Sequence, residues 1–168
     1  MKNDLVNELL ATKTEFLGII GRFDDQNINT IPFEGSWTGG QVAEHVLKSA
    51  SAVAGALNGP TEPADRDPAQ HIPLFEQIFL NFNHKLKSPD FILPSDEPKD
   101  RKKMLNALNE AFNDIEQAAS PGDLDLICTA FEMPTIGRLS RKELISFTIV
   151  HTQRHIHQLK NIEKYFEN

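Results

Sequence analysis

An all-α helical bundle with a four-helix core is the fold class this sequence predicts, and three observations predict it. Apolar residues recur at helical spacing in five separate stretches. Two of those stretches open with a capping box. No convincing alternation of apolar and polar residues, the mark of a half-buried strand, interrupts them. At 168 residues, with 39% hydrophobic and 24% charged side chains, the chain is long enough to bury a core as a single domain over 1–168 and too apolar for wholesale disorder.

The first helix is expected at 4–24, where Leu5, Leu9, Phe16, Ile19, Ile20 and Phe23 share a stripe. A second, at 39–57, is announced by Thr38 and Gln41 as a capping box and by Trp37 with Val42 as a hydrophobic staple, and Gly59-Pro60 closes it. Residues 59–72 are polar and proline-rich and read as a crossover loop. A shorter third helix is expected at 73–87, with Pro73 in its first turn, and "SPDFILPSDEP" breaks the chain again. The fourth, at 98–119, aligns Met104, Leu105, Leu108, Phe112 and Ile115. After "SPGD", Leu126–Ala130 resembles a strand, but no partner strand is evident and a packed loop is expected. The last helix, at 141–165, opens with the capping box Ser140/Glu143 and the staple Leu139/Leu144. The result is a four-helix bundle with an extra short helix and long crossover loops.

Charge and targeting signals exclude several classes. A net charge of −7 argues against a broad nucleic-acid surface, which needs a basic stripe, and against an anionic membrane surface. The acids and polar residues of "MKNDLVNELLATKTEF" fit neither a signal peptide nor a transit peptide, and no stretch has transmembrane length. The lone Cys128 has no intrachain partner and no basic sequence neighbour to activate it, so an inert buried thiol in a cytoplasmic protein is expected.

The informative stretch is "HTQRHIHQLK", residues 151–160. Each residue turns a helix by about 100°, so His151 and His155 lie about 40° apart, whereas His157 falls about 160° from His155 and looks outward. The inward pair shares its face with Leu144, Phe147, Thr148, Gln158, Leu159, Ile162 and Tyr165. A lone inward histidine is commonly a hydrogen-bonded core residue. Two of them one turn apart repel if both are charged, and sharing one cation resolves that conflict. His45, on the apolar face of the second helix with Val42, Ser49, Ala52, Val53 and Ala56, is the best third ligand, with His71 and His84 in reserve. Gln158 lies within about 20° of His151 and is placed to orient a ligand, or equally to bond backbone. Trp37 is a candidate pocket wall, although its staple position favours anchoring the cap. Glu44 should point about 100° from His45 as solvated surface charge.

The stretches W-T-x-x-x-V-A-E-H at Trp37–His45, T-I-G-R-L-S-R-K-E-L at Thr135–Leu144, and H-T-Q-R-H-I-H-Q-L-K at His151–Lys160 resemble the DinB-like (YfiT-like) metal-binding superfamily, the damage-inducible DinB of Bacillus type rather than the DNA polymerase of that name. The resemblance implies a four-helix bundle, often homodimeric, with a divalent metal such as nickel or zinc held by three histidines that map onto His45, His151 and His155. It also implies kinship with thiol-dependent S-transferases using bacillithiol or mycothiol, a mycothiol-dependent isomerase, and many members without known activity.

Three neutral histidines leave coordination positions open, the arrangement of a catalytic rather than a structural site. The leading expectation is therefore a metal-dependent enzyme in which the ion activates water or a thiol, a hydrolase or S-transferase acting on a small molecule. A non-catalytic metal-binding or stress-response module is the alternative, and a bundle with purely structural histidines a third. The second helix also carries Leu47, Ala50, Ala54 and Leu57 on its far side, a stripe that predicts an association surface, either for a homodimer or for a fifth helix.

Overall fold

The computed structural model describes residues 2–119 and 122–167. Ser120 and Pro121 of the expected "SPGD" break lie outside the described residues. Helix α1 spans Lys2–Arg22, α2 Gly39–Leu57, α3 Ile72–Phe79, α4 Arg101–Ala119 and α5 Arg141–Glu163. Two-residue strands β1 (Thr61–Glu62) and β2 (Ile127–Cys128) and two 3-10 turns, at Asn27–Asn29 and Asp90–Ile92, complete the described elements.

Four helices close a ring in the order α1–α4–α2–α5, each packed on the next, and α3 lies outside it against α5. The fold is thus an all-α four-helix bundle with one extra short helix. Consecutive elements α1 and α2 sit across a diagonal, as do α4 and α5, which is why long connections are needed. The ring encloses Leu9, Phe16 and Ile20 of α1, Val42, Val46 and Leu57 of α2, Leu108, Phe112 and Ile115 of α4, and Leu144, Ile145 and Leu159 of α5. Phe75 is the fully buried side chain by which α3 joins this core, a contribution of about 1.5–3 kcal/mol.

Both expected capping boxes form. Gln41 N–H donates to Thr38 Oγ1 and Thr38 N–H to Gln41 Oε1, and Ser140 and Glu143 exchange the same pair of bonds. Glu143 does more than cap. Its fully buried carboxylate accepts from both terminal nitrogens of the Arg66 guanidinium and from the His71 amide, and lies 3.1 Å from His71 Nδ1. The 59–72 connection is thereby latched onto the start of α5. His71, expected at the surface, is half-buried in that latch.

Several sequence expectations are corrected. Helix α3 stops at Phe79 rather than 87. Beyond it Asn81 Oδ1 accepts from Asn83 N–H, the local bond by which asparagine competes with helix. The carbonyls of Phe79, Asn81 and His84 are taken up by the Arg154 guanidinium of α5. The Leu126–Ala130 stretch does contain a strand. Its partner is β1 in the proline-rich loop, antiparallel, with Thr61 opposite Cys128. A pairing of two residues is too short for any periodicity to reveal. The far side of α2 is not an exposed stripe, because Ala50, Ala54 and Leu57 are buried within this chain, with α4 packed on that helix. It therefore offers no argument for a dimer. Tyr165 lies beyond the end of α5, 54% exposed beside Phe33, instead of facing the core. Among the described residues, no helix is long and apolar enough to cross a membrane.

Candidate metal centre

The helical arithmetic on α5 holds: His151 and His155 both project inward and are 5% and 7% exposed. His45, from the second turn of α2, meets them because α2 and α5 are ring neighbours. The three rings converge through their Nε2 atoms. His45 Nε2 stands 3.0 Å from His151 Nε2, and His155 Nε2 stands 3.3 Å from it. Two imidazole nitrogens bound about 2.0–2.1 Å from one ion are separated by about 2.9 Å at a right angle and about 3.4 Å at the tetrahedral angle. The observed spacings fall inside that range.

The outer ring nitrogens decide which atoms are free to coordinate. His45 Nδ1 lies 2.9 Å from the Ile92 carbonyl, which only accepts, so Nδ1 carries the proton. His155 Nδ1 donates to Gln158 Oε1 at 2.7 Å. In a neutral imidazole the opposite nitrogen is then a bare lone pair, and both lone pairs face His151 Nε2. One proton on His151 cannot satisfy both fully, whereas a single cation accepts all three. This is the outer-shell pattern that fixes tautomer and ring orientation at metal-ligating histidines.

Electrostatics keep the rings neutral. Burial lowers the pKa of His45, with an opposing contribution from its bond to Ile92. Burial pushes His151 well below the ordinary range, helped by His155 and His45. His155 is brought down to about 3, again chiefly by burial, with its bond to Gln158 acting the other way. Neutral imidazole is the form that binds metal.

Aromatic rings frame the cluster. Trp37 lies with its ring centre 5.1 Å from that of His45, and Phe147 and Phe79 lie 5.1 and 5.8 Å from His151. Trp37 thus walls the site and also packs on the core next to the α2 cap. Above the histidines opens a cavity of about 840 Å³, roofed largely by the chain between α3 and α4.

The remaining candidates fall outside the cluster. His157 is exposed and stacks on Phe82, and His84 is exposed, both on the cavity rim. Gln158 bonds the ring of His155 rather than backbone. Glu44 points away, as expected, yet it is not simply solvated: it accepts from Ser95 N–H and pairs with Lys99 and Lys48. Those contacts hold its pKa below the usual carboxylate value despite burial. Cys128 is buried, and burial raises its thiol pKa. Sequence reasoning missed the Ile92 carbonyl, which has no side-chain signature, and Arg154, masked by its place in the histidine-rich turn.

Fold and site together define an all-α bundle protein with a buried three-histidine cluster capable of holding a divalent ion. The family model of the DinB superfamily matches residues 8–159, and the chain belongs to that family. Neither curated proteins nor solved structures give a significant match.

Proposed function

We propose that this protein is a divalent-metal-dependent enzyme that activates water or a thiol against a small molecule, as a hydrolase or S-transferase. The observation that carries the reading is the convergence of three histidine Nε2 atoms at a cavity open to solvent. His45, His151 and His155 would hold the ion, nickel or zinc. A structural zinc site is closed by four protein ligands, whereas here three face an open cavity. The bound ion would lower the pKa of a coordinated water or thiol toward neutrality.

The chain's own residues supply position and environment. The Ile92 carbonyl and Gln158 hold the rings of His45 and His155 with Nε2 forward. Phe79 and Phe147 pack against the ring of His151 and line the same cavity. All three ligands are neutral, so the ion keeps its full charge toward the substrate. A low-molecular-weight thiol as co-substrate and a cytoplasmic setting belong to the same reading, and a homodimer rests on the family resemblance alone.

Metal analysis after zinc or nickel loading tests it. About one ion per chain is expected, with loss of binding in His151→Ala and with hydrolase or thiol-transfer activity that follows the metal content. Protein that takes up no ion, or whose activity survives chelation, would refute the proposal.

A further inference from the structure

The cavity over the histidines carries a charge pattern opposite to that of the whole protein. The chain has 24 acidic residues and a net charge of −7, yet among the described residues no aspartate or glutamate lines this cavity. Its rim carries Lys85, Lys87 and Arg154. The two lysines lie in an acid-free run between Glu76 and Asp90. Among the described residues neither has an ion-pair or hydrogen-bond partner. Arg154 donates only to three main-chain carbonyls, which orient its guanidinium without neutralising it. Three positive charges therefore gather on the side of the opening formed by the chain after α3, with no negative partner among the described residues. Below them the wall is aromatic. Phe82 and Phe91 are 43% and 55% exposed, and Phe79 leads down to His151.

Resting on the reading of this cavity as a small-molecule site, we propose that it takes an amphipathic anion: an apolar body lying on Phe79, Phe82 and Phe91, with a carboxylate-type group held by Lys85, Lys87 and Arg154. Exposed aromatic surface rewards an apolar body by burial, and a cleft with low-dielectric walls concentrates the field of its rim charges. A cation of the same shape meets three like charges and no acid among the described lining residues.

Octanoate, octanol and octylammonium share one apolar body and differ in charge. Their binding is measured by calorimetry and by emission of Trp37, the only tryptophan, which lines the cavity. Metal-free protein is expected to bind octanoate about tenfold more tightly than octanol, with octylammonium weakest, since exposed charges of this kind contribute modestly each. Added salt should weaken octanoate alone. In the double variant Lys85→Glu/Lys87→Glu the order of octanoate and octylammonium should invert. Arg154 is left intact because it also anchors the chain after α3. Equal affinity for octanoate and octanol, or an order unchanged in the double variant, would overturn the assignment. A preference for octanoate seen only after zinc loading would also overturn it while leaving the metal reading standing. Failure to bind zinc together with a retained octanoate preference would sink the metal reading and support this one.

Discussion

Replacing Gln158 by leucine isolates the contribution of one outer-shell bond to the histidine cluster. In the structure Gln158 Oε1 accepts from His155 Nδ1 at 2.7 Å, and this bond directs the Nε2 lone pair of His155 toward His151. Leucine preserves helix propensity and approximate volume, so folding should be little affected. Losing such a partner lowers metal affinity by about 10–100-fold. Gln158 is half-buried and the bond is neutral, worth about 0.5–1.5 kcal/mol net. The lower end is therefore expected, about tenfold or 1.4 kcal/mol. Gln158→Glu should act in the opposite direction, because a carboxylate accepts the Nδ1 proton more strongly and raises ligand basicity. Zinc affinity is read by competition with a chromophoric chelator, and the His155 tautomer by long-range nitrogen–proton correlation spectra. Wild-type affinity in Gln158→Leu, alongside loss of binding in His155→Ala, would refute the claim that this bond orients the ligand.

Other consequences concern stability. In metal-free protein, stability should fall as pH drops below about 6.5, because the unfolded chain then takes up protons that the buried histidines refuse. The folded pKa values of His45, His151 and His155 are all lowered, that of His155 to about 3, so the loss continues through the mildly acidic range. Thermal melts between pH 8 and 5 should show it, and His155→Gln should flatten the dependence; a pH-independent melting temperature would contradict the buried neutral cluster. Glu143→Gln should cost about 2–4 kcal/mol, since it strips the charge from a buried carboxylate paired with Arg66. Hydrogen exchange should then rise first in residues 59–72, and uniform exchange would argue against the latch. Arg141→Met should cost about 2–3 kcal/mol in denaturant titrations. It removes the buried donors that Leu57 and Ala118 carbonyls use at the ends of α2 and α4. A cost below about half a kilocalorie, the usual effect of a surface substitution, would show those carbonyls to be satisfied otherwise.

Much of the fold and half of the site were legible locally. The caps at Thr38 and Ser140 depend on residues three apart, and the shared face of His151 and His155 depends on one helical turn. Covalent geometry sets both, so the sequence by itself determined them along with the positions of the four main helices. His45 was chosen as third ligand from its apolar stripe, and the family resemblance mapped onto the same residue, but the 3.0 Å approach to His151 came only from α2 and α5 being ring neighbours. The stop of α3 at Phe79 was not legible. Asn81 contributes a local bond to that stop, but Arg154, which takes up the carbonyls of Phe79, Asn81 and His84, lies on another helix. The covering of Ala50 and Ala54, the pairing of Thr61–Glu62 with Ile127–Cys128, and the Ile92 carbonyl behind His45 were hidden for the same reason. Hydrophobic periodicity specifies which face of a helix is buried but not which element buries it. Only the packed ring settles the partner, and with it the cavity whose rim is basic in an acidic protein.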